Sequence, residues 1–395
     1  MAEYSNFESS EKIFFDSNLQ IIFGVTLTTA IGIFSLSPAF PRIVKELQIS
    51  PKDIGLLITV FTFPGILLMP VMGIIADLFG RKKVLVPALI LFAVAGGLCL
   101  LARDFKTLLV FRFFQGIGVA PLSSLNVTVI GDLYTGKKRT AAMGYNQSVF
   151  SVGAAGLSAV GGALAMMGWY YPFMLPLMAI PVGMLVMLFL KSPTTELKNV
   201  NRFKEYIWGV TETIKKRQMI AIYSVTIVIF IIVAGSYATY FPLLMGITFN
   251  APPFFIGIVM SSVYIASALS SSQMGKIIQT FPEKAVIRAS FLLYALALVI
   301  VPFMPNTWLF FIPALLLGTA QGISLPTIQT LLGGLSSTEN RAIIMSFYGT
   351  ALRLGQTLGP PLLGIVFTIS GINGVFYASS CLALAAFGLI FVMIK

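Results

Sequence analysis

Long apolar segments alternate with short polar loops along almost the whole chain. Twelve of them are long enough to cross roughly 30 Å of hydrocarbon as helices. They fall near residues 20–41, 54–76, 84–102, 107–131, 141–166, 169–190, 219–243, 254–278, 285–303, 307–333, 342–368 and 371–394. Because a backbone in lipid must satisfy its hydrogen bonds internally, this pattern predicts an all-α membrane protein with twelve transmembrane helices.

One polar stretch divides the twelve segments into two sets of six. It covers residues 191–218 and follows the sixth segment. We therefore predict a cytoplasmic N-terminal segment at 1–19, a six-helix bundle at 20–190, a cytoplasmic linker at 191–218 and a second six-helix bundle at 219–395.

The two halves are copies of each other. When the sequence is shifted by 202 residues, identical residues coincide over four successive helices without a gap. The pairs are Gly55 with Gly257, Gly73 with Gly275, Phe79 with Phe281, Lys82 with Lys284, Gly116 with Gly318, Gly131 with Gly333, Arg139 with Arg341 and Gly153 with Gly355. Six helices per copy give both bundles the same orientation, so a pseudo-two-fold axis along the membrane normal is expected.

Composition excludes most other classes of protein. The chain is 57% hydrophobic and 10% charged, so its main solvent must be lipid. It has no histidine, and Cys99 and Cys381 stand in apolar segments without the spacing of a metal or disulfide framework. Buried acid pairs and nucleotide-binding loops are also missing from the sequence, so we expect no enzyme activity, no cofactor and no metal site.

The distribution of charge predicts the orientation. A net charge of +12 would suggest nucleic-acid binding in a soluble protein, but nineteen of the 26 lysines and arginines lie on the side of the N-terminus. The positive-inside rule then predicts that both termini lie in the cytoplasm. We expect the protein in the cytoplasmic (inner) membrane, with the lipid bilayer rather than nucleic acid as its partner. The acidic start of the chain lacks the basic region of a cleavable signal peptide.

The loop after the second segment reads GIIADLFGRKK, with Gly73, Asp77, Gly80, Arg81 and Lys82 at fixed spacing. This loop closely resembles the signature of the major facilitator superfamily. Physically, Gly73 allows close helix approach, Gly80 permits a tight turn, and Asp77 can pair with Arg81. The alternative is a basic loop that only orients the protein.

The resemblance implies a gate at the cytoplasmic surface. Asp77, Arg81 and Asp132 are expected to cluster there, with Asp77 near Arg341, where the start of the eleventh helix favours an anion. The second copy of the loop has decayed, because Gln279 stands at the position of Asp77. The gate is therefore expected to be asymmetric.

The fourth segment contains Arg112, Gln115, Gly116 and Gly118, which resemble a second signature of the same superfamily. An arginine in hydrocarbon should face the protein interior or water, where it would bind an anion or tune a neighbouring group. The alternative is a side chain that extends outward to the membrane surface.

Glycines of the fifth segment resemble the exporter signature of the superfamily, although Leu157 and Ser158 replace its Gly-Pro pair. Close helix contact without any bearing on direction is the alternative. The glycines concerned, and the small residues of the eleventh segment, are Gly144, Gly153, Gly161, Gly162, Gly355, Gly359 and Pro360.

Arg353 lies about twelve residues, or roughly 18 Å, into the eleventh segment. Depth alone marks it as a candidate for binding or coupling, against a structural hydrogen-bonding role. All fourteen acidic residues lie at segment ends or in loops, which argues against a dedicated exporter of cationic drugs. If protons drive transport, Asp53, Asp77 or Asp132 must carry them.

The resemblance covers the whole chain, and residues 35–50 are similar to the drug/proton antiporter branch. It implies a cavity between the halves, lined by helices 1, 4, 7 and 10, and alternating access. We therefore expect a multidrug-type antiporter, a secondary transporter that exports a small organic or amphipathic compound. Protons are the candidate coupling ion, and a monomer is expected. Uptake or exchange of an organic anion through Arg112 and Arg353, or lipid flipping, are alternatives. Substrate-binding candidates are Arg112, Asn126, Asn146, Gln147, Tyr237, Tyr240, Gln321, Gln329 and Arg353.

Overall fold

The computed structural model describes residues 13–191, 217–335 and 341–393. Most of the predicted linker at 191–218, and residues 1–12 of the predicted N-terminal segment, lie outside the described residues. The described part consists of helices joined by short turns and contains no strand.

We number the membrane helices α1 to α12 in chain order. The first six are Ser17–Phe34 (α1), Leu56–Phe79 (α2), Arg81–Leu98 (α3), Phe105–Leu133 (α4), Gly136–Met167 (α5) and Ala179–Phe189 (α6). After α1 the chain turns through the 3-10 helix Ser37–Ala39 into the short helix Phe40–Glu46, and the 3-10 helix Tyr171–Met178 precedes α6. Prolines in these stretches remove backbone donors, which explains why the α-helix is interrupted there.

The second half repeats this order. Its helices are Arg217–Ile231 (α7), Pro253–Ser272 (α8), Glu283–Ile300 (α9), Phe311–Leu335 (α10), and residues 341–370 (α11) and 372–393 (α12) within the continuous stretch Arg341–Met393. Gly371 separates the last two with a φ of 69°, a left-handed conformation that favours glycine. Two π-helical stretches, Ile232–Tyr240 and Leu244–Thr248, continue α7.

The number of membrane crossings is as predicted. Ten stretches of the described residues are long and apolar enough to span a membrane, and one of them, Phe347–Met393, contains both α11 and α12. The 24-residue α2 is the remaining crossing. The prediction of twelve helices in two bundles is therefore confirmed.

The repeat seen in the sequence reappears in the contacts between the halves. We call the end of the molecule with the Gly80 turn the inner end, and the end with residues 47–55 the outer end. The hydroxyl of Thr59 in α2 donates to the Thr357 carbonyl in α11 at 3.0 Å, and the hydroxyl of Ser261 in α8 donates to the Ala155 carbonyl in α5 at 2.5 Å. Donors and acceptors are both related by the 202-residue shift, so the two interfaces obey the same pseudo-two-fold axis.

Glycines mark the same symmetry. A Cβ on Gly55 would lie 2.5 Å from the side chain of Pro360, and one on Gly257 would lie 2.4 Å from the Ser158 carbonyl oxygen. Both pairs again match under the shift. Backbones this close exclude larger residues and hold α2 against α11 and α8 against α5.

The two halves are packed together at the outer end. Every residue of α7 and its continuation from 229 to 245 is buried, whereas Tyr223, Ser224, Ile227 and Val228, nearer the inner end, are half-buried. The ring of Phe34 from the first half packs edge-on against Tyr264 of the second, with centroids 4.8 Å apart. The structure is therefore closed at its outer end.

Candidate functional site

Arg112 lies within the first bundle and only 1% of its side chain surface is exposed. Its Nε donates to the Leu57 carbonyl at 3.2 Å, and its Nη2 donates to the Gly32 carbonyl at 2.8 Å. Its Nη1 donates to Oε1 of Gln115 at 2.8 Å, and the guanidinium stands 4.1 Å from the centre of the Phe61 ring. This arginine therefore ties α1, α2 and α4 together, and each of its three nitrogens has an acceptor.

Arg353 lies where the two bundles meet. It extends from α11 of the second half, and its Nη2 donates to the hydroxyl of Ser123 in α4 at 2.7 Å. Its Nη1 donates to Oε1 of Gln356 at 3.1 Å. Its side chain is 8% exposed, and the Nε is buried without a hydrogen-bond partner. Arg353 thus bridges the halves, and one of its three nitrogens, Nε, has no acceptor.

The two candidate tyrosines lie in the π-helical continuation of α7, and both are enclosed in the closed outer part. The Tyr237 hydroxyl donates to the Met260 carbonyl at 2.6 Å, so this side chain links α7 to α8. Tyr240 is fully buried, with its ring stacked on Phe367 and its hydroxyl without a hydrogen-bond partner. Neither side chain is accessible in this conformation.

Two candidates in the first bundle are joined by a short series of side-chain hydrogen bonds. The Asn126 amide donates to the Thr26 hydroxyl, which in turn donates to Oδ1 of Asn146 at 2.5 Å. These three residues connect α4, α1 and α5. Gln147, beside Asn146, is exposed, so this series of hydrogen bonds ends at an accessible surface.

Candidates in α10 are more accessible than the tyrosines of α7. Gln321 is half-buried and Gln329 is exposed. Gln329 lines a recess of about 620 Å³ at the inner end of the second bundle, together with Glu283, Gly333 and Met345.

Two members of the expected gate are in contact at the inner end. The Nε of Arg81 lies 3.1 Å from Oδ2 of Asp132, and Arg81 is buried. Gly80 has a φ of 96°, a conformation that strongly favours glycine, while Lys82 beside Arg81 is half-buried. The side chains of Asp77 and Arg341 lie outside the described part of the structure.

Not every glycine of the signatures is close to another helix. Among the described residues, a Cβ on Gly73 or Gly144 would meet no atom within 4 Å. A Cβ on five glycines of α5 and α11 would collide with a neighbouring group. That group is the Leu27 side chain for Gly153, the Ser35 carbonyl for Gly161, the Pro253 carbonyl for Gly162, the Ile227 carbonyl for Gly355 and the Ile231 backbone for Gly359. These five glycines therefore mark helix contacts, whereas Gly144 of α5 does not, and Pro360 packs on Gly55.

Titratable groups at the helix ends have distinct environments. Asp104 caps the start of α4, where the hydroxyl and amide of Thr107 donate to it and lower its pKa. Burial and the nearby Asp16 carboxylate raise the pKa of Tyr134 at the inner end of α4. Within the described residues, no group of three or more potential ligands could hold a metal ion.

Sequence reasoning missed several residues that join the halves. Ser123, Thr59 and Thr62 were not singled out, and Thr62 shares a hydroxyl–hydroxyl hydrogen bond of 2.9 Å with Thr357. Serine and threonine are common in membrane helices, where they usually donate to their own helix. The repeat shows only which positions correspond and leaves open which helices touch, so no signal in one sequence distinguishes these hydroxyls.

Comparison with known proteins agrees with this architecture. The family model described as Major Facilitator Superfamily matches residues 22–249 and 223–395. The bacillibactin exporter of Bacillus subtilis (strain 168) is 24% identical over 89% of this chain and 90% of its own, and the class B tetracycline resistance protein of Escherichia coli is 23% identical over 90% of each. A mutant of the nucleoside transporter NupG shares the fold, with a TM-score of 0.80, 13% identity, and coverage of 96% of this chain and 100% of that one. The chain therefore belongs to the major facilitator superfamily and is a multi-pass membrane transporter rather than an enzyme.

Proposed function

We propose that this protein exports a small organic, amphipathic compound across the cytoplasmic membrane by alternating access. Both termini would face the cytoplasm, so that the inner end of the molecule is cytoplasmic. The names of the relatives described above, an exporter of bacillibactin and a tetracycline resistance protein, support export as the direction.

The paired contacts between the halves carry this proposal. Thr59 with Thr357, and Ser261 with Ala155, close the outer end through two interfaces related by symmetry. Two bundles that meet through equivalent contacts can rock about their common axis, which opens one end as the other closes. Both interfaces combine such hydrogen bonds with close backbone packing, so opening would exchange these contacts for equivalent ones at the other end.

Proton coupling would depend on the inner end, because the acidic residues lie outside the hydrocarbon core. Asp132 is the best placed of them, since it is paired with Arg81 and its side chain is still 30% exposed. Protonation of Asp132 would remove its attraction to Arg81 and loosen the inner gate. For antiport, the proton would enter from the outer side, and its release to the cytoplasm would restore the pair.

Uptake or exchange of an organic anion is the second candidate function, and the available donor of Arg353 favours it. It differs from export in direction, which vesicle experiments can separate. The two candidates therefore require measurements on both sides of the membrane.

Membrane vesicles of opposite orientation test the proposal. Everted and right-side-out vesicles from cells that express the protein would be energised and offered tetraphenylphosphonium, 1-naphthylacetate and 1-naphthylacetamide. An exporter accumulates at least one probe in everted vesicles, and a protonophore abolishes the accumulation. Accumulation in right-side-out vesicles alone would favour uptake, and none in either, relative to vesicles without the protein, would contradict transport of these compound classes.

A further inference from the structure

The two buried arginines differ in how their hydrogen-bond donors are used. The Nε and Nη2 atoms of an arginine point to the same side and form a fork that fits a carboxylate. In Arg112 this fork is filled, because Nε donates to the Leu57 carbonyl and Nη2 to the Gly32 carbonyl. Backbone carbonyls of the first bundle therefore already accept from both donors of this fork.

In Arg353 the same fork is half empty. Its Nη2 donates to the Ser123 hydroxyl at 2.7 Å, and its Nε is buried without a partner. Its remaining contact, Oε1 of Gln356, is also neutral, and within the described residues no carboxylate pairs with it. A buried cation with only neutral partners is costly, so an anion that reached this position would be strongly favoured.

The side chain of Arg353 is packed tightly against α2, and exposure increases toward the inner end of α4. Gly65 of α2 lies against the Arg353 side chain, where a Cβ would be 3.2 Å from its Cδ. Ser123 is half-buried, and Val127, one turn nearer the inner end on the same face of α4, is 51% exposed. The bridge between Arg353 and Ser123 therefore lies at the inner edge of the contact between the halves.

We propose that a carboxylate of the transported compound binds across Nε and Nη2 of Arg353 and displaces Ser123. This inference rests on the proposed transport function and assigns its substrate class, an amphipathic organic acid. Because Ser123 belongs to the first half and Arg353 to the second, the displacement also removes a hydrogen bond between them. Substrate binding would thus loosen the closed contact as it neutralises the buried charge.

A matched pair of ligands tests this assignment directly. The probes are 1-naphthylacetate and 1-naphthylacetamide, which have the same ring and differ in a carboxylate against a neutral amide. We expect the purified protein to bind the carboxylate at least about tenfold more tightly, since an arginine–carboxylate pair is stronger than a neutral hydrogen bond. Arg353→Gln should abolish the preference, Arg353→Lys should reduce it because lysine lacks the fork, and Ser123→Ala should preserve or increase it.

Arg288→Gln is the matched control. Arg288 is another arginine of the second half, half-buried, with its guanidinium 4.7 Å from the centre of the Phe391 ring. The preference for the carboxylate should be unchanged in this variant. Size-exclusion profiles would establish that each variant is folded, and Ser123→Ala retains a test if Arg353→Gln does not fold.

Equal binding of acid and amide, no binding of the acid, or a preference that survives in Arg353→Gln would overturn the assignment. These outcomes can be told apart from failure of the proposed function. If vesicles transport tetraphenylphosphonium or the amide without any role for Arg353, transport stands and the carboxylate site falls. If no probe is transported in either orientation, the proposed function itself fails.

Discussion

We expect the hydroxyl groups at both symmetry-related interfaces to stabilise the closed outer end. Thr59→Val removes the 3.0 Å bond to the Thr357 carbonyl, and Ser261→Ala removes the 2.5 Å bond to the Ala155 carbonyl. A hydrogen bond between membrane helices stabilises by about 0.6 kcal/mol on average and at most about 1.7 kcal/mol. Each substitution should therefore lower the ratio of outer-closed to outer-open molecules about 3-fold to 18-fold.

Burial predicts which variant has the larger effect. Ser261 is 7% exposed and Thr59 is half-buried, so water replaces the lost bond more easily at Thr59. Ser261→Ala should therefore lie near the upper limit and Thr59→Val near the lower one. The double variant should show the product of the two ratios, because the interfaces share no residues.

Spin labels report the two populations. Lys106→Cys and Pro305→Cys introduce exposed labelling sites at the outer ends of the two halves, in a background where the exposed Cys381 is replaced by serine. Pulsed electron–electron double resonance would then give a short distance between the two labels in closed molecules and a long one in open molecules. Opening should shift the distribution toward the long distance in each variant.

Ser262→Ala provides the control. This neighbouring hydroxyl is also buried, and it donates at 2.7 Å to the Val259 carbonyl of its own helix. Its removal should leave the distance distribution unchanged. If Ser261→Ala and Ser262→Ala gave the same distribution, the hydrogen bonds between the halves would have no part in closure and the reasoning would be refuted.

Three further predictions concern stability and coupling. Gly116→Ala should lower the Tm, because the added Cβ would lie 2.2 Å from a backbone oxygen of α2. Gly156→Ala is the control and should leave the Tm unchanged, because no atom lies within 4 Å of the added Cβ. Equal Tm values for the two variants would contradict the packing argument. Arg112→Lys should cost about 1–3 kcal/mol of folding stability, because one ammonium cannot replace three fixed donors, and an unchanged Tm would argue against this role. Asp132→Asn should remove the pH dependence of transport measured in vesicles, and a full pH dependence in this variant would exclude Asp132 as the coupling group.

Arg112 and Arg353 show which features could be predicted from the sequence and which could not. Their depth in apolar segments identifies both as interior cations, because hydrocarbon excludes an unpartnered charge. Their roles differ only through their neighbours, since Gly32 and Leu57 surround one and Ser123 contacts the other. These neighbours are between 55 and 230 residues away along the chain, and no local pattern encodes them.

Interruptions of the helices were also hidden in the sequence. The segment predicted at 20–41 is α1 followed by a 3-10 turn and a short helix, and α7 continues through two π-helical stretches. Apolar composition is the same for a helix and its irregular continuation, so hydropathy reads each as a single crossing. Proline explains the break after α1, whereas the π-helical stretch Ile232–Tyr240 contains no proline and has no comparable signal in the sequence.

By itself, the sequence determined the twelve crossings, their division into two copies and the loop signature with its left-handed Gly80. Each of these follows from local chemistry: hydrocarbon requires long apolar helices, and a tight turn requires glycine. Only the tertiary structure decided that the outer end is closed, that equivalent hydroxyls seal both interfaces and that Arg353 keeps a free donor between the bundles. The physical reason is that these features are contacts between helices distant in sequence, which no local pattern of residues encodes.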